Sequence, residues 1–83
     1  MEDRVGQVWA SKWCGDDDLT NATIFVIVAL DHDWTNPHTG RVNLMWDGRV
    51  IYSEDGTGQK YVWQEDNFLS ETDSYDNVYE RIL

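Results

Sequence analysis

Asp31, His32, Asp33 and His38 form the only cluster in the chain with metal-ligand chemistry. Two imidazoles this close can bracket a divalent ion, and a neighbouring carboxylate can orient one of them. No thiolate or third strong ligand stands at a standard spacing, and Pro37 stiffens the loop between the histidines. The pattern therefore predicts a solvated polar loop and no native metal. Asp16-Asp17-Asp18 offers oxygen donors of the kind hard cations take, but consecutive residues cannot all converge on one ion. The expectation there is a self-repelling loop tip. Gly56-Thr57-Gly58-Gln59-Lys60 resembles a phosphate loop in composition only. Gln59 separates the last glycine from the lysine, and a strand-like Tyr61-Val62-Trp63 follows where a helix should open. Cys14 with His32 or His38 would make a thiolate pair, yet Asp16 to Asp18 beside the thiol would raise its pKa. No motif supplies an oxyanion hole. The sequence predicts no enzyme and no cofactor.

Aromatic rings and negative charge remain. The 83 residues include five Trp and four Tyr, and 16 acidic against 6 basic side chains give a net charge of -10. Such a surface repels phosphate, which argues against direct nucleic-acid binding. Trp9, Trp46 and Trp63 fall on strand patterns and read as core. Trp13 and Trp34 fall in loop-like polar segments, where a ring either folds back over a barrel end or anchors a partner. Tyr75 and Tyr79 in the acidic tail pose the same choice. Glu65, Asp66, Glu71, Asp73, Asp76 and Glu80 crowd the last twenty residues, opposed there only by Arg81. Duplex DNA carries a charge about every 1.7 Å along its axis, so carboxylates on a rigid scaffold can imitate that field. Simple solubility is the bland alternative.

The elements that must position these groups have a period of two. Val5 to Ala10 alternates as a short first strand, and Thr23 to Leu30, dense in β-branched side chains, reads as the central and most buried one. Asp31 to Gly40 reads as a loop. Val42 to Trp46 and Arg49 to Tyr52 flank Asp47-Gly48, which predicts a type I′ hairpin. Ser53 to Lys60 reads as a second turn region, Tyr61-Val62-Trp63 as a strand, and Val78 to Leu83 as a closing strand. Ser70 to Asn77 has room for one short helical turn. The expected fold is all-β: residues 1–83 as a single small barrel of five to six short antiparallel strands. Closure hides strand edges, and large tryptophans compensate for a small core.

Val5-Gly6-Gln7-Val8-Trp9, Phe25-Val26-Ile27-Val28, Asp47-Gly48-Arg49 and Tyr79-Glu80-Arg81-Ile82 occur in an order that resembles SH3-like small barrels encoded by many bacteriophages. The resemblance covers most of the chain and implies a fold and a phage or mobile-element origin. The paired tryptophans of the eukaryotic SH3 peptide groove are missing, so recognition of PxxP ligands is not implied.

The lone Cys14 excludes an internal disulfide, and no apolar run approaches a membrane span. The charged Met1-Glu2-Asp3-Arg4 start predicts no secretory signal and a cytoplasmic protein, which also makes the Asn21-Ala22-Thr23 sequon a chance match. The functional expectation is a non-enzymatic inhibitor or adaptor, monomeric or a small homo-oligomer, that binds a protein with a basic surface. Trp13, Trp34 and Tyr75 would be its anchors, with Asp66, Glu71, Asp73 and Asp76 setting orientation. The alternatives are a DNA mimic that blocks a nucleic-acid-binding protein, and a minor structural or assembly component.

Overall fold

The computed structural model describes residues 3–15, 20–73 and 75–83. In chain order the elements are β1 (Val8–Trp13), β2 (Thr23–Leu30), β3 (Trp34–Thr35), β4 (Val42–Asn43), β5 (Met45–Tyr52), β6 (Lys60–Gln64), α1 (Glu65–Ser70) and β7 (Asn77–Arg81). Five strands form one antiparallel sheet in the order β6-β5-β2-β1-β7, and β3 and β4 pair as a separate small ribbon. The large sheet curls into a half-barrel, giving the small all-β, barrel-like fold that the alternating pattern predicts.

Register decides what the concave face carries. Trp9 lies opposite Phe25, and Phe25 opposite Val50, so three apolar side chains cross β1, β2 and β5 in one row. Ile27, Gly48 and Tyr61 make the next row toward β6, and Trp46 faces Trp63. These residues are neighbours only because side chains two apart on a strand share a face. Phe25, Ile27 and Trp46 are fully buried, and the Phe25 and Trp63 rings stack 3.8 Å apart. β2 is the central strand. Its buried face holds Phe25 and Ile27, whereas Val28 and Leu30 are exposed beyond a register shift between Ile27 and Ala29.

The Asp47-Gly48 hairpin is corrected by the structure. β5 passes straight through both residues, and neither has the positive φ that a type I′ turn needs. Gly48 serves packing instead: a Cβ there would sit 2.6 Å from Cζ3 of Trp63. The reversal comes at Ser53–Gln59, where Gly56 and Gly58 take φ of 112° and 90° and Gly58 N donates to Val50 O at 2.8 Å.

The short helix also falls elsewhere than predicted. It occupies Glu65–Ser70, ahead of the polar 70–77 stretch, and ends at Glu71 in the left-handed conformation with φ 60°. Six residues cannot hold a helix alone. This one is held by Phe68, which enters the concave face with its ring centroid 4.8 Å from Trp9 and 5.9 Å from Tyr79. Trp13 closes β1 and Trp34 lies in β3, so neither is a loop residue. The first strand begins at Val8 because Arg4 to Gln7 turn inward, with Gln7 N donating to Arg4 O.

That inward turn buries a charge. Arg4 Nε donates to both carboxylate oxygens of Glu65, the longer contact being 2.8 Å, and Arg4 Nη1 donates to Gln7 Oε1 at 3.2 Å. Trp9 Nε1 donates to the same Gln7 oxygen at 2.8 Å, and Trp46 Nε1 to Glu65 Oε1 at 3.3 Å. The guanidinium also lies over the Phe68 ring at 5.1 Å. Both indoles in the core thus find acceptors, and the N-terminal segment is fastened to α1.

Two outcomes follow. Arg4→Ala leaves Glu65 buried and unpaired, and lowers unfolding free energy by about 3–5 kcal/mol, measurable in urea titrations. Gly48→Ala pushes the Trp63 ring off Phe25 and costs about 1–3 kcal/mol, with a changed near-ultraviolet circular dichroism spectrum. At a type I′ turn position the same alanine would strain a positive φ but leave the tryptophan signal unchanged.

Candidate functional site

The half-barrel leaves a gap between its two outermost strands, β6 and β7. Two adjoining cavities occupy it, about 270 and 380 Å³, and they share Val62, Trp63 and Tyr79. Ser11 and Thr23 form the floor of the first, between Tyr61 on one wall and Asn77 on the other. Asn67, Asp73 and Tyr75 line the second. α1 with its Phe68 fills one part of the concave face; the groove is the part left uncovered. Tyr61 and Tyr75 stand exposed at its mouth.

The two strands flanking the groove differ in what their backbones offer. On β7, the bonds Cys14 N→Asp76 O (3.0 Å) and Ile82 N→Val8 O (2.7 Å) set the phase of the ladder with β1. Alternation then turns the amides of Asn77, Tyr79 and Arg81 away from β1. Residues 71–73 fold back over that edge: Tyr79 N donates to Glu71 O at 2.8 Å, and Asp73 N to Asn77 O at 3.1 Å. On β6, Glu65 N→Leu44 O and Val50 N→Gln59 O set the phase with β5. Lys60 and Val62 therefore direct their amides and carbonyls outward, toward the gap.

Asp73 is the polar centre of the β7 side. It accepts from Tyr75 N (2.8 Å), Asn77 N (3.1 Å), Asn77 Nδ2 (3.1 Å) and Tyr79 Oη (3.0 Å). Burial pushes its pKa up, but the hydrogen bonds from Asn77, Tyr75 and Tyr79 outweigh that and hold it below the usual 3.8. Tyr79 moves the opposite way, to about 12, through burial first and then its bond to the Asp73 carboxylate. At neutral pH the pair is therefore a carboxylate facing a neutral phenol. This arrangement shapes one wall of the groove.

The predicted site residues do not gather in one place. Tyr75 and Asp73 line the groove together. Trp13 is exposed and lies opposite the groove residue Asn77 in the β1–β7 register, so it extends the rim. Asp76, with φ 64°, and Glu71 flank the same segment and offer their carbonyls to Cys14 N and Tyr79 N. Asp66 is engaged by Arg41 at 3.1 Å. Trp34 pairs with Asn43 in the separate β3–β4 ribbon and shares no contact with the groove. Tyr61, Asn67 and Asn77 are groove residues that the sequence reading did not select. The alternation of Tyr61 with Trp63 put both on one face, which was the available signal.

Among the described residues no group of three His, Cys, Asp or Glu is placed to hold a metal ion. His32 Nδ1 lies 3.2 Å from Asp31, whose pKa is lowered by that hydrogen bond, and His38 N donates to Asn36. Cys14 is exposed, and Asp16 to Asp18 lie outside the described residues. No helix among the described residues is long and apolar enough to cross a membrane. Comparisons with protein-family models, with curated proteins and with solved structures returned no match.

Tyr79 gives this wall a pH signature. Its folded pKa lies above the unfolded value of 10.0, so its contribution to stability is complete below pH 10 and is lost as pH rises through about 12. Stability measured by urea titration from pH 9 to 12 falls accordingly, and Tyr79→Phe flattens that limb. Asp73 acts in the acid range with the opposite sign: its contribution is complete above pH 3.8 and disappears as pH drops below that value.

Proposed function

We propose that this chain is a non-enzymatic binding module that grips a basic surface of another protein in the β6–β7 groove, as an inhibitor or adaptor. The observation that carries the reading is a concave face left uncovered exactly where aromatic side chains line it, on a protein of net charge -10. Large rigid rings in a partly desolvated cleft are the usual energetic anchors of interfaces, and charge sets approach and orientation. Tyr61, Tyr75 and the Trp63 edge are the anchors, with Trp13 at the rim. The resemblance to phage-encoded barrels supports a partner in the host cell or the phage itself.

Mimicry of DNA has less support. A mimic needs carboxylates free in a regular band, and here Glu65 is buried against Arg4, Asp66 is paired with Arg41, and Asp73 is bonded inside its own turn.

The test is affinity capture with wild type, Tyr61→Ala/Tyr75→Ala and Trp34→Ala, at low and at physiological salt. The double variant loses the captured basic proteins by tenfold or more, Trp34→Ala retains them, and added salt weakens capture. Identical capture by all three removes the groove from the function.

A further inference from the structure

The groove has one open backbone edge, and that edge defines how a partner would bind. We propose that β6 takes up an extended, basic segment of a partner protein by strand addition, with the segment lying in the gap between β6 and residues 71–73. This deepens the reading of the groove as a protein-binding site and rests on it.

The argument starts from hydrogen-bond accounting. A sheet edge presents a row of amides and carbonyls, and a folded chain covers, charges or shortens it. This protein covers β7 with residues 71–73 and leaves β6, where Lys60 and Val62 point their backbone groups into the groove. The two edges of one sheet are thus treated differently, and the open one lies beside the aromatic cavity. In strand addition, main-chain bonds supply affinity and alternate side chains enter pockets. Side chains of an added strand level with Tyr61 and Trp63 would share the concave face with them, the aromatic side of a 270 Å³ cavity whose floor and far wall are Ser11, Thr23 and Asn77.

Charge selects the occupant. Across the gap the ionised Asp73 lines the groove, and the exposed Glu71 and Asp76 flank it. Among the described residues no salt bridge engages any of these three carboxylates, whereas Glu65, Asp66 and Glu80 have Arg4, Arg41 and Lys12. A segment of alternating apolar and Lys or Arg residues matches both features, with its long cationic stems reaching the acidic turn. A second copy of this chain would bring another ten negative charges to the same face, so self-pairing of β6 edges is disfavoured.

The experiment uses the full chain and two synthetic eight-residue probes, alternating Val-Lys and alternating Val-Glu, read by backbone amide NMR and hydrogen exchange. The Val-Lys peptide slows exchange at Lys60 and Val62, and its affinity exceeds that of Val-Glu by tenfold or more at low salt. N-methylation of alternate peptide amides on the bonding side weakens it by at least tenfold. Val62→Pro removes the outward amide without touching the β5 ladder, so the fold survives and binding drops similarly. If Tyr61→Ala/Tyr75→Ala abolishes binding while N-methylation and Val62→Pro leave it unchanged, strand addition is wrong and the groove reading stands. Loss of neither, equal affinity for Val-Glu, or Lys60 and Val62 protection that grows with protein concentration alone overturns the proposal; the last outcome assigns the edge to a second copy.

Discussion

The buried Arg4–Glu65 pair is the constraint on which the remaining architecture rests. A guanidinium and a carboxylate removed from water cost several kcal/mol each, and only close mutual bonding with satisfied neighbours offsets that. Here the neighbours are Gln7 and the indoles of Trp9 and Trp46, whose N–H groups would otherwise be buried without acceptors. The pair joins the segment before β1 to the first turn of α1. It therefore holds a helix too short to persist alone, and that helix brings Phe68 onto the concave face.

From that placement the groove follows. A curled five-stranded sheet has room on its inner face for more than one insert, and α1 supplies one. Phe68 covers the rows near Trp9 and Tyr79, while Ser11, Thr23 and the flank of Trp63 stay uncovered. Residues 71–73 are then tied to β7 by Asp73, which accepts from two amides, an asparagine side chain and the Tyr79 phenol at once. One wall of the groove is thus rigid and closed on itself, and the other is a strand with outward-facing backbone.

The charge is deployed in the same uneven way. Carboxylates near the core or the strands are matched: Glu65 with Arg4, Asp66 with Arg41, and Asp47 with both Arg49 and Lys60 on the convex face. Among the described residues no salt bridge engages Glu71, Asp73 or Asp76 on the side facing β6, and none engages Asp3, Asp33, Glu54 or Asp55 elsewhere. Solubility alone would be served by any distribution. Glu71, Asp73 and Asp76 stand beside the groove, where the proposed positively charged partner would meet them.

Several features were legible in the residues themselves. Alternating β-branched runs identified β2 as central and the chain as a small antiparallel sheet, and Trp9 and Trp46 were readable as core from their place in those runs, whereas Trp63 is half-buried against that core and lines the groove. Local rules failed where tertiary contacts outweighed them. Asp47-Gly48 has turn chemistry, yet Trp63, far along the chain, needs the space above Gly48 and draws both residues into a continuous strand. The helix formed at Glu65 because Arg4 and Phe68 found partners distant in sequence, not because of its own propensity. Composition determined the alternation, the aromatic core and the sign of the surface charge, since each depends on side-chain type at near neighbours. Which edge stayed open, which acids were matched, and which rings met at the groove depended on strand order and register. Those are set by pairings between distant segments, and only the folded chain contains them.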